Sequence, residues 1–311
     1  MRGARSTFPS RAKVDLAPLA GFGPEPMAEL RFEAIGAPWR IDTPEPLPAP
    51  LVSEIAAHIE LFDRSYSRFR ADSLVTEIAS RPGSWELPAD AAPLLSLYRT
   101  LYEATDGAVT PLVGRRLANL GLDRDYSLTP QAAPTRVPAW DDAMSWDGVR
   151  LTTRMPVLLD LGAAGKGYLV DLVAALLRDA GVADYVVDAS GDLVHLGETP
   201  LRVALEHPSD PTLAIGVYEL SNGALCASAP GRRTWGTGIH HILDGLTGEP
   251  TTRVAATWAM APSGLLADGL ATALFFAPGE ALAGSFDFEY VRMFPDSRVE
   301  VSPKFQGELF T

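Results

Sequence analysis

Apolar runs sized for strands and apolar positions spaced for helices alternate along most of the chain. The clearest switch lies at residues 156–178, PVLLDLGAAGKGYLVDLVAALLR. Residues 157–161 form a short apolar run of strand type, and a Gly/Ala turn follows. Then Leu169, Leu172, Val173, Leu176 and Leu177 share one helical face. Upstream, residues 28–43 predict two strands around Gly36-Ala37-Pro38. A Pro-rich joint at 44–50 leads into a helix with Ile55, Ile59 and Phe62 on one side. The polar stretch 62–73, FDRSYSRFRADS, fits either a solvated loop pinned by Tyr66 and Phe69 or an aromatic wall for a planar ligand. Asp90 stands where it would cap a helix carrying Leu94, Leu97, Tyr98, Leu101 and Tyr102, which stops at Asp106-Gly107. Thr110 before Pro111 starts another helix, closed at Gly121. Residues 122–150 scatter Pro, Asp and Trp and predict a surface excursion.

The second half is richer in strands. A strand near 184–187 runs into a small acidic turn, DASGD, at 188–192. Strands are predicted at 201–206, 213–220, 223–228, 253–261 and 288–294, with an Ala-rich helix at 265–276. Helices first and a sheet-rich second half predict a mixed α/β fold. Residues 1–26 are punctuated by Pro and Gly and are read as a disordered extension, with Met27 a second candidate start and 27–311 a single domain.

Composition narrows the function classes. The 311 residues suffice for a sizeable core, and 47% hydrophobic with 21% charged residues describes a globular protein. A net charge of −13 argues against nucleic acid as a partner. It also means that a phosphate ligand needs local help from helix N-termini, a few basic side chains or a metal. The single cysteine, Cys226, excludes an internal disulfide framework and a Cys-rich metal site. Arg2, Arg5, Arg11 and Lys13 are not followed by an apolar signal core, and no run of about 18 apolar residues occurs, so the expectation is a cytoplasmic protein with no membrane insertion.

The central turn offers chemistry. Gly162, Gly165 and Gly167 allow close backbone approach, and helix-start N–H groups favour an anion. Neither the Walker loop nor the dinucleotide fingerprint fits, because Asp160 and Gly167 occupy the Walker positions and the glycines run G-x-x-G-x-G. A plain strand–turn–helix with packing glycines fits equally well. In the 265–276 helix, Asp268 and Thr272 are four residues apart on one face of an otherwise apolar element. A buried carboxylate needs a partner. Carboxylate plus hydroxyl is hard-oxygen ligation of the kind Mg²⁺ takes, although a carboxylate stabilised by the helix dipole satisfies the same pattern. Of five histidines, His240 and His241 are adjacent and point to opposite faces on a strand, so only one can line a given site. With Asp244 nearby, that histidine would suit general-base work at a phosphate.

Four stretches fall in one order: DLGAAGKGYLVD at 160–171, DASGD at 188–192, HILDGLTGEP at 241–250 and ADGLATALF at 267–275. YSRFRADS at 66–73 and TDGAVTP at 105–111 add weaker matches. Together they resemble the motifs of the ApbE-like FAD:protein FMN transferases, over roughly residues 31–280. The resemblance implies two interleaved sheet-and-helix subdomains of the ApbE/T-fold-like type, with a flavin cleft between them. It implies an enzyme that binds FAD, splits its pyrophosphate, moves FMN onto a Thr or Ser hydroxyl of an acceptor protein with a D-x-x-T-G motif, and releases AMP. By matching position, Asp268 and Thr272 would hold Mg²⁺ together with the carbonyl of Ala163. Phe69, Ala108, Val109, Thr110, Asp160, Lys166 and Ile242 would contact FAD, with Lys166 nearest the phosphates. His241 would be the base for the acceptor hydroxyl. The chain departs from the family pattern at Ile35-Gly36-Ala37, at Val109-Thr110 and at Gly245, where the family often has Met-Gly-Thr, Phe-Asp and Pro. Two other readings share the site: an FAD pyrophosphatase that gives FMN and AMP, and a flavin-binding carrier without turnover. Thr247, in an acceptor-like Asp244-Gly-Leu-Thr247-Gly248, is read as a turn residue.

Overall fold

The computed structural model describes residues 27–131 and 135–310; the extension expected at 1–26 lies outside them. Strands β1 (Ala28–Ala34) and β2 (Ala37–Thr43) form a hairpin. Its two turn residues, Ile35 and Gly36, both take positive φ, the turn that follows strand twist. Helix α1 (Ala49–Tyr66) continues past Phe62, so Tyr66 is a core residue and not part of a loop. After α2 (Leu74–Ile78) and β3 (Gly83–Glu86) comes α3 (Ala91–Ala104). Asp90 precedes α3 but does not cap it with its side chain, because Oδ1 accepts the Tyr66 hydroxyl at 2.6 Å. Thr110 does cap, taking the Leu112 N–H at 3.3 Å, and α4 (Gly114–Asn119) follows.

The excursion expected at 122–150 holds more structure than its composition suggests. It contains α5 (Trp140–Ala143) and β4 (Met144–Trp146), and β5 (Arg150–Thr153) lies between β3 and β4 in a small sheet. Buried Trp140 and Met144 anchor it. Residues 157–161 are a correction of the opposite kind, since they join no sheet. Val157, Leu159 and Leu161 are buried, while the Asp160 N–H donates to Pro111 O at 2.7 Å. A Cβ on Gly114 would lie 2.3 Å from Leu158 O, so the run is laid against the start of α4. Its apolar alternation is satisfied by packing, without a strand partner.

Helix α6 (Gly165–Asp179) then leads to β6 (Tyr185–Asp188) and β7 (Asp192–Leu196). β7 follows the 188–192 turn and pairs back on β6. The rest is β8 (Leu201–Glu206), β9 (Ala214–Leu220), β10 (Gly223–Ser228), the short pair β11 (Thr234–Trp235) and β12 (Ile239–His240), and β13 (Ala256–Ala261). Helices α7 (Gly264–Ala273) and α8 (Gly279–Leu282) and strands β14 (Glu289–Met293), β15 (Val299–Val301) and β16 (Glu308–Leu309) complete it.

Eight strands form one antiparallel sheet in the order β1-β2-β6-β7-β10-β13-β14-β15. Side-chain alternation sends Val187, Val194, Cys226 and Ala259 to a core shared with α1, α3, α6 and α7. It sends Val186, Leu193, Leu225, Trp258 and Met260 to a second core under the β16-β9-β8 sheet. Both faces are covered, which explains why β13 reads as an unbroken apolar run despite being antiparallel. The fold is mixed α/β, as the pattern predicts. Among the described residues no helix is long and apolar enough to cross a membrane.

Candidate active site

Helices α6 and α7 cross with their backbones in contact. A Cβ on Gly167 would stand 2.2 Å from Gly264 O and 2.6 Å from the Asp268 Cβ, so only glycine fits. That approach lets the Gly167 N–H donate to Asp268 Oδ2 at 2.9 Å. The helix start does hold an anion, and the anion is the protein's own carboxylate. One turn further along α7, the Thr272 hydroxyl donates to Ala163 O at 3.3 Å. Asp268, Thr272 and Ala163 are thus gathered where the 160–164 turn meets α7.

Tyr98 shapes that turn. The Ala163 N–H donates to its hydroxyl oxygen at 3.0 Å, and the hydroxyl donates to Asp160 O at 3.4 Å. The helical spacing of α3 marks Tyr98 only as a core residue; its second role depends on a partner 65 residues away. Asp160 accepts the Gly162 N–H at 2.9 Å and pairs with buried Arg68. Burial works against its charge, but Arg68, the Gly162 N–H and His241 outweigh it and hold the carboxyl below its usual range. Arg68 also donates to Leu122 O at 2.6 Å and lies 4.1 Å over the ring of Phe69, which stacks on Tyr126 with centroids 5.0 Å apart.

Lys166 points the other way from Asp160. Its Nζ is 2.5 Å from Asp192 Oδ2 and 2.5 Å from Ala189 O, at the start of the DASGD turn. Burial disfavours its charge, but Asp192 and Asp268 together raise its pKa. Burial, then the charge of Asp192, push the Asp268 carboxyl well above its usual range, and Lys166 and the Gly167 N–H only partly offset this. Asp192 is raised as well, chiefly by burial. The region is short of positive charge.

This donor set fits a hard divalent cation. Among the described residues no group of three His, Cys, Asp or Glu could hold a metal. A carboxylate, a hydroxyl and a carbonyl, in a place that would gain from more positive charge, are the oxygen ligands Mg²⁺ takes alongside water and phosphate.

The two histidines differ in burial. His240 is buried; its Nε2 faces Thr251 O at 2.8 Å and its Nδ1 accepts the Ile242 N–H at 3.3 Å. These partners fix a neutral ring, and burial lowers its pKa. His241, one residue past the end of β12, is half-buried. The Asp244 Oδ1 takes the N–H groups of Leu246 (2.9 Å) and Thr247 (3.4 Å), closing the turn. Thr247 Oγ1 in turn accepts the Glu249 N–H at 3.2 Å. Ile242 packs with Val254 and Phe275, and its side chain is spent on that cluster.

Ala108, Val109 and Thr110 are all buried and join two turns. Ala108 O accepts the Gly245 N–H at 2.8 Å, and a Cβ on Gly245 would lie 2.6 Å from both Gly107 O and Thr110 Cγ2. The proline of the family motif would lose that hydrogen bond and clash. Gly245→Pro is therefore expected to destabilise by about 3 kcal/mol, read from denaturant unfolding. Arg116, which no local pattern marks, pins the far side of the turn through Gly248 O and Glu249 Oε1, both at 2.8 Å.

The ApbE family matches residues 35–288, a span that contains the glycine crossing, both histidines and the Asp268/Thr272 helix. The chain belongs to the ApbE family. A relative from Klebsiella pneumoniae (strain 342), called FAD:protein FMN transferase, is 26% identical over 267 residues, covering 78% of this chain and 76% of the relative. Among solved structures, the flavin transferase ApbE from Vibrio cholerae superposes with a TM-score of 0.76 at 23% identity over 91% of this chain and 99% of that one. The ApbE protein of Thermotoga maritima gives 0.78 at 24% identity, over 89% of this chain and 97% of its own. These ApbE structures share the mixed α/β architecture described above.

Proposed function

We propose that this chain is a Mg²⁺-dependent enzyme that moves FMN from FAD onto a Thr or Ser hydroxyl of an acceptor protein and releases AMP. The observation that carries the reading is the meeting of Asp268, Thr272 and Ala163 O beside the Gly167 hinge, in a chain of the ApbE family. Asp268, Thr272 and Ala163 would hold the ion, which when bound would neutralise charge on the pyrophosphate. Lys166, one residue from that glycine and held by Asp192, would supply a fixed cation beside the phosphates. The Phe69–Tyr126 stack, backed by Arg68, would offer an aromatic wall for the isoalloxazine, and Asp160 seats Arg68. Ala108 to Thr110 and Ile242, all buried, would form a packed wall behind the nucleotide.

In the transfer step His241 takes the proton of the acceptor hydroxyl. The hydroxyl oxygen bonds to the FMN-side phosphorus, the bridging P–O bond breaks, and AMP leaves with the bridging oxygen. Two negative phosphates repel the incoming oxygen, so aligned cations matter more than the base. The acceptor is proposed to present a D-x-x-T-G motif.

The decisive experiment incubates the protein with FAD, Mg²⁺ and a peptide or domain bearing that motif, read by mass spectrometry. One FMN added to the acceptor with one AMP released is the expected result. FMN released free would instead make the protein a pyrophosphatase, and intact FAD would make it a carrier. His241→Ala is expected to slow transfer by about 100-fold or more. FAD binding, followed by flavin fluorescence, should stay unchanged.

A further inference from the structure

We infer that Asp171 is a positioning residue for the cation site: by clasping the first turn of α7 from α6, it sets the register that brings Asp268 and Thr272 to Ala163. This rests on the reading of the site given above. A helix begins with N–H groups that have no partner within it. At the start of α7 the Gly264 N–H donates to Asp171 Oδ1 at 2.7 Å, and the Leu265 N–H to Asp171 Oδ2 at 2.8 Å. The Leu266 N–H is taken locally by Ser263 Oγ at 3.3 Å. Thus one cap comes from the connection itself and the other from a helix 93 residues away in sequence.

The arrangement is reciprocal. Asp171 stands one turn after Gly167 on α6, and Asp268 one turn after Gly264 on α7. Asp171 takes two backbone N–H groups from the first turn of α7, Asp268 takes one from the first turn of α6, and the two glycines touch between them. Two donors on consecutive residues, each to a different oxygen of one carboxylate, resist both sliding and rotation of α7. A one-residue rotation of α7 would carry Thr272 away from Ala163. The last residue of the D-x-G-x-x-x-K-G-x-x-x-D stretch thus acts on the ion through the helix that carries the ion's ligands.

Ser263 supplies the control, because it caps the same helix without linking it to α6. Binding of Mn²⁺ by the FAD-saturated full chain, followed by electron paramagnetic resonance, reads the site without relying on turnover. Asp171→Ala is expected to weaken Mn²⁺ binding at least about tenfold, and Ser263→Ala by less than about twofold. Both variants should melt at similarly lowered temperatures. Asp171→Asn keeps one acceptor oxygen and should fall between Asp171→Ala and the unaltered chain. It carries the test if Asp171→Ala does not fold. Wild-type Mn²⁺ affinity in the Asp171 variants, or equal weakening by Ser263→Ala, would overturn the positioning role alone. Failure of the unaltered chain to bind Mn²⁺ would overturn the cation site and this role with it.

Discussion

Asp268→Ala is expected to lower AMP release from FAD by about a thousand-fold or more, because it removes the carboxylate of the proposed cation site. The same change should leave the fold standing. It deletes a buried carboxyl whose charge is opposed by burial and by Asp192, and it leaves Lys166 its closer partner at 2.5 Å. The loss on the other side is one acceptor for the Gly167 N–H, about 1–3 kcal/mol. Asp268→Asn spares even that, since an amide oxygen can accept the same N–H.

The pH dependence has a definite sign. The folded pKa of Asp268 stands above its unfolded value. Its contribution to stability is therefore fully present below the unfolded pKa and is lost as pH rises through the folded one. Asp268→Asn should then raise the melting temperature of the metal-free protein at neutral pH. A cation takes the ionised form, so Mg²⁺ binding is expected to tighten as pH rises. Calorimetric titration with Mg²⁺ over a pH series measures that trend. Normal turnover by Asp268→Ala would remove Asp268 from the role assigned to it.

What could be read from the chain follows from the range of each interaction. The faces of α6 and α7, the existence of a hairpin near Gly36 and the Thr110 cap are local, and periodicity or a single residue type is enough to reveal them. The Asp268/Thr272 pair was visible because a lone carboxylate in an apolar helix demands an explanation. Its partner was not, because Gly167 and Asp268 are 101 residues apart. Residues 157–161 look like a strand because burial on one side gives the same alternation whether or not a neighbouring strand exists. Asp90 looks like a cap because nothing nearby announces that Tyr66, 24 residues earlier, will occupy its carboxylate. Arg68 and Arg116 are invisible for the same reason. Each is an arginine in a polar stretch until the fold delivers Asp160 to one and the 244–249 turn to the other. The family resemblance implies roles that local patterns cannot, and the structure shows the contacts through which Gly167 meets Asp268 and Ala163 meets Thr272.

Gly167→Ala is expected to destabilise the protein by about 3 kcal/mol or more, or to prevent folding, although alanine is the better helix former by about 1 kcal/mol. The added carbon would lie 2.2 Å from a backbone oxygen, Gly264 O, and 2.6 Å from the Asp268 Cβ. Neither neighbour is the far end of a flexible side chain, so the helices themselves must part. Parting them draws Asp268 off the Gly167 N–H and Thr272 away from Ala163, so any folded fraction should also lose Mg²⁺-dependent AMP release. Gly165, two residues earlier in the same turn, separates this effect from helix propensity. A Cβ there meets only Leu161 Cβ at 3.7 Å and Phe62 Cζ at 3.9 Å, ordinary packing distances. Gly165→Ala should therefore stay within about 1 kcal/mol of the unaltered chain and keep its activity. Denaturant unfolding of the two variants side by side measures the difference. If both are tolerated alike, the helices do not meet at Gly167, and the cation site loses the contact that assembles it.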